Sequence, residues 1–260
     1  MMGWLSRGIL PTLLLLACLA VVWEALARAL EASSLVLAAP SAILAEAWTH
    51  ASEIVYSGLS TLVSALAGFT ASLVVGTGAA VLMAWGFWSR ANRFPRAILL
   101  KVVPVVVAAP LITIWSGAGV SGPWGASFLL GVFPVFHCAA IGLSRVDPDL
   151  LGMFSFHNAS RWQILARLRV PHAVPMVVAG AKVSAGLAVV GSIAWELVAG
   201  CAARVPGLGC LIWQSFARSH TELLFACVGA STLLGLGVFL GVESVARLVL
   251  ARLEDPARRF

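Results

Sequence analysis

FHNASRWQILARLRVPHAVP, residues 156–175, sets Arg161, Arg167 and Arg169, two histidines and a Trp162-Gln163 pair inside a chain that is 60% hydrophobic and holds only two lysines. The surroundings are apolar. Of 260 residues 11% are charged, and the mean hydropathy is +0.98, whereas soluble globular chains carry about 25% charged residues. The chain therefore reads as an all-α integral membrane protein. Its length accommodates several spans of about 20 residues but no further soluble domain of ordinary size, so one membrane domain over residues 1–260 is expected.

Six apolar segments mark spans at 9–29, 59–86, 97–116, 124–144, 171–199 and 222–246. The first, with Arg7 ahead of it and Ala27-Arg28-Ala29 behind, imitates a signal peptide. Its long apolar stretch, and Glu24 before the apparent cleavage site, favour a retained span. With the amino terminus in the cytoplasm, Arg7, the 87–101 loop, the 145–170 loop and the carboxy-terminal tail place 13 of the 17 basic residues inside. Both termini are then cytoplasmic. The net charge of +6 is this bias rather than a nucleic-acid surface, because no basic helix face or aromatic-rich basic strand exists.

Small residues recur at helical spacing in the second span (Ala65, Gly68, Ser72, Gly76, Ala80) and as a GxxxG in the last (Gly237, Gly241). They read first as packing inside one bundle and second as a subunit interface. The five cysteines show no metal-ligand spacing and no metal site is expected. Cys201 and Cys210 flank a loop and are free to pair on an oxidising side, though nothing in the sequence requires it.

Both lysines, Lys101 and Lys182, precede valine, so the chain holds no GxxxxGK[ST] and is not itself a P-loop ATPase. Zincin and intramembrane-hydrolase patterns are also missing, and no catalytic residue is assigned. Ionisable side chains within spans are suspects for a pathway. Lys182 and Glu196 lie 14 residues apart on the fifth segment, within about 40° of one face and about 21 Å along it. They read either as a polar pathway lining or as a snorkelling or paired lysine with a glutamate near the interface. With His137 they would form the relay of an ion-coupled secondary transporter or channel, the competing functional class.

The span order puts 145–170 on the cytoplasmic side. Asp147 suits an N-cap with Pro148 at the first helical position, and Leu150, Leu151, Phe154 and His157 follow at amphipathic spacing. A second helix fits Ala159 to Leu168, ended by Pro171 or led by it into the next span. Asn158, at the join, is expected at positive φ. Helix, tight corner, helix is far more than a connector of two to eight residues needs. Phe154, Phe156 and Trp162 suit docking of another protein, or else an interfacial helix on anionic lipid.

The run D-P-D-L-L-x6-N-A-S-R-W-Q-I-L-x-R-L-R-V-P-H-A-V-P, residues 147–175, resembles the cytoplasmic EAA loop of inner-membrane permease subunits of binding-protein-dependent ABC importers, nearest the nitrate/taurine/aliphatic sulfonate type. LAAPSAIL (37–44), Thr61-Leu62, VVPVVVAAPLITIWSGAG (102–119), Phe133-Pro134, GLSRVDPDLL (142–151), AWELVAG (194–200) and PGLG (206–209) extend the likeness through nearly the whole chain. Two departures stand out: Gly152-Met153-Phe154 replaces the acidic-Ala-Ala triplet, and Asn158 replaces the corner glycine.

The resemblance implies a six-transmembrane-helix importer permease with a cytoplasmic coupling helix, paired as a homodimer in the inner membrane. ATP and Mg would be bound by separate ATPase subunits, with no cofactor in this chain, and an extracytoplasmic binding protein would deliver a small solute. Selection would reside mainly in that protein; Lys182 favours an anion. The coupling residues implied are Asp147, Leu150, Leu151, Phe154, Phe156, His157, Asn158, Ala159 and Ser160, with Arg161 and Trp162 bracing the corner and Pro171 and Pro175 fixing the turn into the span that carries Lys182 and Glu196.

Overall fold

The computed structural model describes residues 2–29, 38–87, 121–199, 201 and 205–254. Among them every regular element is helical: α1 (Met2–Ala29), α2 (Pro40–Thr49), α3 (Ala51–Leu82, running on through a π-turn at Met83–Phe87), α4 (Ser121–Ser144), α5 (Pro148–Phe156), α6 (Arg161–Ile164, running on through a π-turn at Leu165–Arg169), α7 (Val170–Ala199), α8 (Leu208–Ala217) and α9 (Thr221–Glu254). The all-α expectation holds. Four stretches, Ala51–Trp85, Gly122–Ser144, Arg161–Val198 and Thr221–Ala251, are long and apolar enough to cross a membrane. The expected span 97–116 and the 102–119 motif lie outside the described residues. The other five expected spans fall within α1, α3, α4, α7 and α9.

The small residues of α3 let α3, α4 and α7 close on one another. Ala65, Gly68, Ser72, Gly76 and Ala80 are all buried. A Cβ on Gly68 would sit 2.6 Å from the Trp124 carbonyl and 2.8 Å from the Phe128 nitrogen, both backbone atoms of α4. Serine hydroxyls cross the seams: Ser72 donates to the Phe128 carbonyl (2.9 Å), and Ser127 to the Ala188 carbonyl of α7 (2.7 Å). Packing plus interhelical hydrogen bonds is how helices cohere in lipid, where tails are as apolar as the helix surface.

Gly68→Ala should therefore force α3 and α4 apart and cost about 1–3 kcal/mol, seen as a lower unfolding temperature in detergent. Gly78→Ala, with nothing within 4 Å of its added Cβ, should leave that temperature unchanged or raise it.

The GxxxG of α9 behaves differently from its first reading. No atom comes within 4 Å of a Cβ placed on Gly237 or Gly241. The two glycines line an apolar groove of about 690 Å³ shared with Leu66 and Phe69 of α3 and Val178 and Ala181 of α7. The stripe in α3 is internal packing, then, and that in α9 is not taken up by any described helix.

Two helices fall where the sequence suggests only connectors. α2 begins with Pro40 at its first position, and its Ser41 is held by Glu24 of α1: the carboxylate accepts from the Ser41 hydroxyl (2.7 Å) and N–H (3.1 Å). α8 spans only ten residues, too short to cross, yet Leu208, Gly209, Cys210, Leu211 and Ser215 are buried.

Candidate functional site

The corner at 147–160 is built by local hydrogen bonds. Asp147 accepts the Asp149 N–H (2.9 Å) and caps α5 ahead of Pro148. At the other end Asn158 adopts φ 53°. The Ala159 N–H reaches the Phe154 carbonyl and the Asn158 N–H reaches that of Ser155, both at 3.0 Å. These two bonds are a Schellman closure, which needs a left-handed residue at this position. Asn158→Ala should weaken the corner by about 1 kcal/mol and speed hydrogen exchange at Ala159, whereas Asn158→Gly should not.

The second arm starts at Arg161, two residues beyond the expected Ala159, because Ser160 acts as its cap. Its hydroxyl accepts the Gln163 N–H (3.3 Å), and the Gln163 side chain accepts the Ser160 N–H (2.7 Å). This reciprocal box is legible as Ser-x-x-Gln, a signal the sequence reading passed over. Pro171 and Pro175 fix no turn: helix continues from Arg161 to Ala199. Pro171 lacks an N–H and crowds the carbonyl four residues back, and the wider turn at Leu165–Arg169 lies where that crowding is absorbed. His172 fastens the junction through the Arg145 carbonyl (2.9 Å).

No residue of α5 is buried. Phe156 is 85% exposed and Met153 61%, while Leu151 and Phe154 are half-buried and Leu150 and His157 exposed. The open apolar surface thus centres on Met153 and Phe156; of the three aromatics expected to dock, Phe156 and Trp162 are exposed and Phe154 is half-buried. Arg161 is exposed, and Trp162 packs at a tilt against Trp85 at the end of α3, their centroids 4.8 Å apart.

Glu196 is 2% exposed and lines no open surface. Its carboxylate accepts from the Thr61 hydroxyl of α3 (3.0 Å), the Ser192 hydroxyl one turn back (3.2 Å) and the Gly209 N–H of α8 (2.9 Å). Thr61 also accepts the Leu208 N–H (2.9 Å). Two of the N–H groups that a helix start leaves without partners are therefore satisfied by side chains from two other helices, and the carboxyl group meets the positive end of α8. Gly207 and Gly209 make this approach possible, since a Cβ on Gly207 would collide with the carboxylate and one on Gly209 would lie 2.6 Å from the Ile193 carbonyl. Beside it, Cys201 and Cys210 are joined by a disulfide. Thr61-Leu62, AWELVAG and PGLG, three separate runs of the sequence, meet at this one cap.

Lys182 does not share a lining with Glu196. It pairs with Glu243 of α9 (2.6 Å), which also binds Arg247 (3.0 Å). His137 stacks on Phe133 within α4. Lys182 and Glu196, two members of the relay that the competing class would need, thus sit in different sets of contacts. Helical phase places two residues on one side of α7 but does not say which neighbouring helix each will meet.

Residues 72–255 match the family described as the binding-protein-dependent transport system inner membrane component. The chain is 28% identical over 249 residues to the riboflavin transport system permease protein RibX of Chloroflexus aurantiacus, covering 95% of this chain and 90% of that one. It is 25% identical over 258 residues to the taurine transport system permease protein TauC of Escherichia coli, covering 94% and 90%. Among solved structures, a chain of the MetNI methionine ABC transporter in an inward-facing conformation superposes with a TM-score of 0.63 at 16% identity, over 75% of this chain and 95% of that one, and so shares the fold. The chain belongs to the inner-membrane permease components of binding-protein-dependent ABC importers, and is a transport component rather than an enzyme.

Proposed function

We propose that this chain forms the membrane pathway of an importer driven by a separate ATPase subunit that docks on α5. The observation that carries the reading is a nine-residue helix with no buried residue and Phe156 85% exposed, closed by capping hydrogen bonds at both ends. An amphipathic helix with its apolar face open is the form that fits a partner's groove. On this reading α5 and both termini face the cytoplasm, in line with the basic residues. ATP and Mg are bound by the partner, and a binding protein delivers a small solute to the opposite side, where α8 lies. The open groove along Gly237 and Gly241 favours a second copy of the chain as neighbour. Glu243 neutralises Lys182, which withdraws the support that lysine lent to an anionic solute. A pathway role stays with Lys182, partly exposed, while Glu196 serves as a cap.

Purified chain in liposomes, offered labelled riboflavin and taurine, should take up solute only with the ATPase subunit, binding protein and ATP supplied. Uptake on an ion gradient without the ATPase would favour the secondary-transporter class and overturn the proposal.

A further inference from the structure

We propose that Trp85 and Trp162 form a strut that passes movement of the corner into α3, an inference that rests on docking of an ATPase at α5. The rings lie 4.8 Å apart between centroids at 36°. They join elements far apart in the chain. Trp85 belongs to the π-turn that ends α3, and Trp162 to the first turn of α6, immediately before the second π-turn.

The two π-turns are set against the same apolar cluster. Leu165 of the second is buried with Ala80, Ala139, Ala140, Leu143 and Ala173, and Met83 and Ala84 of the first pack on that cluster. Single π-turns interrupt the regular ladder and concentrate at functional sites. Here one interrupts the covalent route from the corner along α6 into α7, so a push on α5 meets a softened element there. The tilted ring pair supplies a second route, directly from α6 to the end of α3.

Both rings stay about half-exposed, Trp85 at 52% and Trp162 at 55%. Neither fills the core, so the pair is a surface junction able to slide or part without opening the bundle. An aromatic pair biases an equilibrium by about two- to tenfold, a scale suited to an element that two states share. Trp85 is thus a positioning residue for transport, acting through Trp162.

The test uses the full complex, purified through a tagged copy of this chain with its bound ATPase. Hydrogen exchange over 76–87 would be compared without nucleotide and with ATP, Mg and vanadate. The wild type should show nucleotide-dependent exchange at the end of α3. Trp85→Leu should reduce that response about fivefold while leaving ATPase binding and the unfolding temperature unchanged, and Trp85→Phe should restore most of it. Trp162→Leu should reduce the exchange response per bound ATPase to the same degree, with no further loss in the double variant. An unaltered response in Trp85→Leu overturns the strut. A wild-type chain that recovers no ATPase overturns the docking reading itself, and the strut with it.

Discussion

Glu196→Ala is expected to release the start of α8 from α7, leaving the Leu208 N–H bond to Thr61 of α3 in place. The Gly209 N–H and the Ser192 hydroxyl lose their acceptor in a site that is 2% exposed, while the Thr61 hydroxyl keeps the Ser57 carbonyl. Each buried polar group left without a partner costs about 1–3 kcal/mol, so a loss on the order of 3–5 kcal/mol follows if water does not fill the gap. The unfolding temperature in detergent should drop sharply, and exchange at Gly209 should accelerate. Glu196→Gln keeps one carbonyl oxygen of the same shape and should lose much less. Thr61→Val, which removes the acceptor of the Leu208 N–H, should fall between them. A Glu196→Ala protein with unchanged stability and a protected Gly209 would show that α8 is held by other contacts.

Phe156→Asp is expected to have the opposite signature, abolishing partner binding at no cost in stability. Because α5 buries no residue within the chain, a charge at its most exposed aromatic disturbs no buried contact and gives up only an exposed ring contact with His157. In a partner's groove the same carboxylate would be desolvated without a counter-charge. Loss of a central aromatic anchor costs about 2 kcal/mol or more, which is about 30-fold in affinity. The ATPase should no longer copurify, ATP-driven uptake should fall below a tenth of wild type by the same scale, and the unfolding temperature should stay put. Retention of bound ATPase at wild-type levels would remove α5 from the docking surface.

The contrast between these substitutions tracks what kind of contact each residue makes. Asp147, Pro148 and Asn158 act over one helical turn, and the corner they form was legible from residue type and spacing. The Ser160–Gln163 box was equally local and equally readable, though it went unread. The helices that the structure describes within the expected spans follow from apolar runs alone. α8 escaped because ten residues are too few to register as a span, and their burial depends on what covers them.

Composition and local pattern were enough to establish an all-helical membrane chain, its long apolar helices among the described residues and a capped corner, because lipid demands continuous apolar helices and because caps close within a few residues. Only the tertiary structure decided that Glu196 fastens α8, that Lys182 meets Glu243, and that the glycines of α3 are packed while those of α9 stay open. Thr61 and Glu196 are 135 residues apart, and Thr61 and Leu208 are 147 apart. A helix's periodicity tells which residues share a face; which face of which other helix comes to rest against them is settled by how close small residues let the backbones approach.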